Sequence, residues 1–208
     1  MVTALLIGSY LIGSVPFGLW VAYLMTGIDV RTKGSGNIGA TNVWRVCGPK
    51  AGIPAFILDV LKGYIPVIVG IHLFPAHSQW AILAGLCALL GHNYSIFLKF
   101  TGGKGIATSL GILIALAPAV AGYAALIFLL ELFTLRFISL GDILAAIAVP
   151  FLMYFCYPAD HYRLAFGIVA SVMAVYKHRS NISRLRAGIE PRVCMPWNKK
   201  PLDLPDGR

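Results

Sequence analysis

The chain has 208 residues, 58% of them hydrophobic and 12% charged, with a mean hydropathy of +0.79, which excludes an ordinary water-soluble core and leaves a multispanning membrane protein. The formal net charge of +9 suits an anionic bilayer surface, anionic substrates or nucleic acid, and only the placement of the charges separates these. Cys47, Cys87, Cys156 and Cys194 lie far apart with no C-x-x-C pair, which argues against a disulfide framework or a thiolate zinc site and for free thiols.

In chain order, the first apolar run covers 3–25. It lacks the basic start and small-residue cleavage site of a secretory leader and is long enough to cross hydrocarbon, so it reads as one uncleaved span. A polar stretch at 26–50 contains "GSGNIGATN" at 34–42. Apolar runs at 51–74, 80–98, 105–117, 119–135, 139–157 and 161–177 bring the number of predicted spans to about seven. As one helix, 105–135 would measure about 46 Å against a hydrocarbon core of roughly 30 Å, so it divides at Pro118. That division puts the stretches 26–50 and 91–104, the turn at Arg136 and the tail from Lys177 on one side, with 4, 2, 1 and 8 of the 17 Lys and Arg residues respectively. The positive-inside rule makes this side cytoplasmic. The predicted fold is therefore an all-α integral membrane protein of about seven transmembrane helices, N-terminus outside and C-terminus cytoplasmic. Residues 1–190 form the multispanning domain, and 191–208 a polar, Pro-rich surface tail.

Three segments rich in glycine, amide and cation share the cytoplasmic face: 34–45, 91–108 and 178–190, the last reading "HRSNISRLRAGIE". Gly34, Gly36, Gly102 and Gly103 let backbone N–H groups approach an anion, Ser35, Asn37, Thr41, Asn42 and Asn181 add donors, and Arg45, Lys104, Arg179 and Arg184 supply countercharge. Each segment alone has a plainer reading. The first is an ordinary interhelix loop, and the third a basic juxtamembrane helix on acidic lipid. The second departs from the P-loop pattern because Gly105 follows Lys104. Their coincidence on one face favours a single phosphate-binding site. Asp59 and Lys62, three apart in the second span, either pin helices together or take part in function. Ser139 opens the sixth span as a helix cap or a pocket donor.

Together these segments resemble the bacterial acylphosphate-dependent glycerol-3-phosphate acyltransferases, the PlsY family of integral membrane enzymes, over nearly the whole chain. The resemblance rests on G-S-G-N-x-G-A-T-N at 34–42 with Arg45, on G-G-K-G-x-A-T at 102–108, and on H-x-x-N-I-x-R-L at His178, Asn181, Ile182, Arg184 and Leu185. Asp59, Lys62, Gly63, Gly91 and His92 also match. Thr101 stands where the family usually has Lys, Lys99 where it has a small residue, and Ser95 where Pro is common, as though a cation had moved by two positions.

The resemblance implies transfer of a fatty acyl group from acyl phosphate to the 1-hydroxyl of sn-glycerol 3-phosphate, giving lysophosphatidic acid and phosphate, in the bacterial cytoplasmic membrane. No cofactor and no metal is implied. The expected partners are the two small substrates and membrane lipid, with no nucleic acid and a monomer assumed. Consistently, no His is followed five residues later by Asp, the arrangement of CoA- and carrier-dependent acyltransferases. The rival reading is a membrane transporter of a phosphorylated or anionic metabolite, which would spread its cations along a path instead of gathering them at one face.

Two phosphate-bearing substrates demand fixed cations, since unit charges about 5 Å apart repel by about 3 kcal/mol at an effective dielectric near 20. Lys104 and Arg45 are the first choices, with Arg45 suited to bidentate phosphate binding. His178 is the candidate base, or else a substrate phosphate accepts the proton and His178 only positions it. Ser35 serves as a phosphate or oxyanion donor in preference to an acylated nucleophile, and Asn181 with the glycine N–H groups stabilises the tetrahedral intermediate. Gly34, Gly36, Asn37, Thr41, Asn42, Gly102, Gly103, Ser139, Arg179, Arg184 and Glu190 complete the expected binding shell.

Overall fold

A computed structural model of the chain describes residues 1–193. Among these residues the regular structure is helical: α1 (Val2–Ser14), α2 (Phe17–Thr26), α3 (Ala40–Cys47), α4 (Pro49–Leu73), α5 (Ser78–Asn93), α6 (Ile106–Leu116), α7 (Pro118–Thr134), α8 (Ile138–Cys156), α9 (His161–Lys177) and α10 (Arg179–Arg186), with a short 3-10 turn at Ile96–Leu98. The polar tail lies outside the described residues from position 194 onward, and Cys194 with it. Cys47, Cys87 and Cys156 are free.

The predicted apolar runs are helical, except that the run at 80–98 leaves the α-helix after Asn93 and closes in the 3-10 turn, and the all-α membrane architecture holds. The division at Pro118 is present, with buried Ala117 between α6 and α7. Three segments, Val2–Thr26, Pro49–Leu73 and Ile138–Cys156, are long and apolar enough to cross a membrane. The two shorter apolar helices, α6 and α7, measure about 16 and 25 Å. Large apolar side chains such as Leu24 and Phe155 point outward, 83% and 75% exposed, as a lipid-facing surface requires.

The expected first span corresponds to Val2–Thr26. The run at 3–25 is not a single uninterrupted helix but breaks at Val15 and Pro16 into α1 and α2. Pro16 cannot donate a backbone N–H and crowds the preceding turn, so carbonyls at the end of α1 lose their helical partners. In lipid those groups need others. The Lys62 ammonium donates to the Val15 carbonyl at 2.9 Å, and the Ser95 hydroxyl to the Ser14 carbonyl at 2.6 Å. Lys62 also pairs with Asp59 at 2.8 Å, both side chains being almost wholly buried, and Asp59 faces His92 Nδ1 at 3.7 Å. The sequence left the Asp59–Lys62 pair open between pinning and function, and its contacts tie α1, α4 and α5 together.

The helices approach closely at several glycines that remove the side chain, as in membrane interiors generally. A Cβ on Gly13 or Gly91 would strike the facing backbone of α5 or α1, and one on Gly63 or Gly111 that of α6 or α4. These contacts bundle α1, α4, α5 and α6, while α7, α8 and α9 pack in succession beside them. The loop before α6, the start of α8 and the end of α9 thereby come to one neighbourhood.

Candidate active site

The chain passes from α9 into α10 at His178, whose backbone dihedrals of −94° and 7° depart from the helix. Asn181 and Arg184, three apart, share a face of α10. Gly188 then reverses the chain at a φ of +71°, in the left-handed region that favours glycine, and Ile189 N–H donates to the Arg184 carbonyl at 3.0 Å. The reversal carries Glu190 back to that face. Val193 N–H donates to the Arg136 carbonyl at 2.8 Å, and the Arg192 guanidinium lies 4.8 Å from the centre of the Phe137 ring, so this strand of chain lies over the turn between α7 and α8.

Glu190 is the bracket of the site. Its Oε1 accepts from Ser139 Oγ at 2.6 Å and from Asn181 Nδ2 at 2.7 Å, and its Oε2 accepts from Arg184 Nε at 2.7 Å. Burial pushes its carboxyl upward, but these three donors outweigh burial and hold it below the usual glutamate range. A Glu190 that stays ionised forces Asn181 to donate through Nδ2. The other amide atom, Oδ1, then accepts from Lys104 Nζ at 2.6 Å. Lys104, Asn181, Glu190, Ser139 and Arg184 therefore form one connected network drawn from four parts of the chain.

Burial lowers Lys104 below the usual lysine value; the carboxylates of Asp142 and Glu190 oppose that shift, and the cations Arg184 and Arg45 reinforce it. Arg45, on α3, thus shares the electrostatic neighbourhood of Lys104. It is exposed, and its side chain, like those of the exposed Ser35 and Thr41, makes no hydrogen bond among the described residues.

His178 sits beside this network with no exposed surface. Its Nδ1 is 2.8 Å from the Ala174 carbonyl and its Nε2 is 3.4 Å from Asp142 Oδ2. Both ring nitrogens face protein acceptors, an arrangement that suits a positioning residue better than a base presented to substrate.

Several expected ligand donors are committed to the protein itself. Asn42 is buried and acts as the internal peg of its loop: its Oδ1 accepts from Ser35 N–H at 2.9 Å, and its Nδ2 donates to the carbonyls of Val30, Lys33 and Asn37 at 3.0, 3.2 and 2.9 Å. Asn37 Oδ1 accepts from Gly39 N–H at 2.8 Å. Gly34 and Gly36 have φ of +59° and +69°, so glycine is required there by the turn. The peg shapes the loop and leaves Ser35 pointing outward.

Gly102 and Gly103 lie against the end of α5. A Cβ on Gly102 would strike the His92 carbonyl and one on Gly103 the His92 ring, and Gly103 N–H donates to the His92 carbonyl at 3.1 Å. Their small size serves close approach to the end of α5. Gly103→Ala is expected to cost about 1–3 kcal/mol through overpacking, and a lowered unfolding temperature in detergent checks it; an unchanged temperature would show that the His92 ring can move aside.

Arg179 stands apart from the network. It is exposed, with its guanidinium 4.7 Å from the centre of its neighbour Tyr176's ring and Nη1 donating to the Tyr176 carbonyl at 3.4 Å. Lys99 is likewise exposed, in a left-handed turn at φ +53° beside the bridge between Ser95 and Thr101. Sequence reasoning missed Asp142, although an acid three residues beyond Ser139 inside an apolar span was a readable signal.

Comparison with known proteins bears on the family and the fold. The family model described as glycerol-3-phosphate acyltransferase matches residues 3–188. A protein of that name from Geotalea daltonii is 46% identical over 186 residues, covering 89% of this chain and 94% of its own. One from Aquifex aeolicus is 43% identical over 189 residues, covering 90% and 97%. The crystal structure of PlsY, an integral membrane glycerol 3-phosphate acyltransferase, is similar in both its glycerol 3-phosphate form and its lysophosphatidic acid form. The TM-scores are 0.88 and 0.85 at 40% identity, covering 93% of this chain and 96% and 95% of those chains. With the motif segments, the helical architecture and these matches in agreement, the chain belongs to the glycerol-3-phosphate acyltransferase family.

Proposed function

We propose that this chain transfers a fatty acyl group from acyl phosphate to the 1-hydroxyl of sn-glycerol 3-phosphate, with its site open to the cytoplasm at a bacterial cytoplasmic membrane. The observation that carries the reading is the Lys104 ammonium, fixed by Asn181 and Glu190 and flanked by Arg45 and Arg184. Three cations near one point suit ligands that bring two phosphates together. The gathering of Lys and Arg in the stretches around these loops, 15 of 17 along the sequence, supports the cytoplasmic orientation.

In the proposed reaction the 1-hydroxyl oxygen attacks the acyl carbon, and the C–O bond to phosphate breaks. The leaving phosphate is already a stable anion and takes up the hydroxyl proton, so the atoms balance without a protein acid. Lys104 and Arg45 hold the phosphates, the outward Ser35 hydroxyl donates to the developing oxyanion or to phosphate, and His178 keeps the start of α10 in place. Asn181 and Glu190 act by aiming Lys104.

Phosphate release by the purified protein tests the reading, with acyl phosphate, acyl-CoA and acyl carrier protein offered as competing donors. The expected result is glycerol 3-phosphate-dependent release with acyl phosphate alone. Equal acylation from acyl-CoA would overturn the donor assignment.

A further inference from the structure

Asp142 belongs to none of the three motif segments, yet α8 carries it among them. It lies one helical turn beyond Ser139 and is 8% exposed. Glu190 is held by three donors, whereas Asp142 makes no hydrogen bond among the described residues and faces His178 Nε2 at 3.4 Å. Its negative charge also acts on Lys104, in the same sense as that of Glu190 and against those of Arg184 and Arg45. Glu131, on α7, is a further acid within its field.

A site built only to bind phosphate gains nothing from a second buried carboxylate. A site that must release phosphate after each turnover does, because three cations around a divalent product make departure slow. We propose that Asp142 is a charge-balancing residue, offsetting one cation of the Lys104 cluster so that phosphate is held loosely enough to leave. This rests on the reading that the cluster holds phosphate. Asp142 acts through Lys104 and His178 and need not touch substrate.

The direction of the effect separates this role from a structural one. Removing a carboxylate that merely braced α8 against α9 would loosen the site and weaken phosphate binding. Removing a counterweight strengthens it. Calorimetric titration of inorganic phosphate into purified Asp142→Asn and Asp142→Ser is expected to give binding about tenfold tighter than the parent. In turnover assays KM for glycerol 3-phosphate and kcat should then fall together, with phosphate becoming a stronger product inhibitor. Unchanged or weaker phosphate binding in either folded variant overturns the proposal. So does failure of both variants to fold, which would make Asp142 a brace. If the parent lacks glycerol 3-phosphate-dependent turnover yet both variants still tighten on phosphate, the functional reading fails and the charge balance stands.

Discussion

Lys104→Met is expected to lower turnover by about 10²–10³-fold, the range for deleting a fixed charged donor from an acyl-transfer site. Methionine keeps much of the length and apolar body of lysine, so the change removes the charge and the bond to Asn181 Oδ1 while disturbing packing little. Binding of inorganic phosphate should weaken with it, and Lys104→Arg should recover only part, because a planar guanidinium does not reproduce a compact ammonium between two glycines. A variant that turns over normally would remove Lys104 from the centre of the site. The pH profile gives a second check. The protonated amine is the working form and burial lowers its pKa, so activity should decline with rising pH earlier than for a solvent-exposed lysine. Bound phosphate raises the pKa again, which shifts the limb of kcat above that of kcat/KM.

Lys62→Met is expected to destabilise the fold by about 3–5 kcal/mol, the usual consequence of leaving one member of a buried ion pair alone. Asp59 would lose its partner at 2.8 Å and the Val15 carbonyl one of its two donors, at 2.9 Å, in a region where the lysine side chain is 1% exposed. Low yield of monodisperse protein and a depressed unfolding temperature in detergent would report it. Combining Lys62→Met with Asp59→Asn should recover a large part of the loss, since no uncompensated charge then remains. A single variant as stable as its parent would show that water reaches the pair and that it does not join the helices.

The helices were legible because hydropathy is a local property: the apolar runs are helical, apart from the end of 80–98, and Pro118 divides one of them where length alone demanded a division. Pro16 was not read as a break, because its run is apolar throughout and the carbonyls it frees are served by residues 47 and 81 positions away. The site was legible as composition and less so as contacts. Glycine is small for either a phosphate or a helix, and the sequence does not say which faces Gly102 and Gly103. Asn42 reads like any exposed donor until the loop is seen folded around it. The chain from Lys104 through Asn181 to Glu190 joins positions 77 and 9 apart, a pairing set by helix packing. Asp142 was hidden by its apolar neighbours, which marked its stretch as a span and drew attention from its charge.

Glu190 carries a consequence for biosynthesis. It follows all ten helices described above and orients Asn181 and, through it, Lys104, so a ribosome must emit every one of those helices before the lysine is aimed. Nascent chains whose earlier helices are already inserted would thus remain inert. Premature termination anywhere before residue 190 should yield a membrane-embedded but silent product.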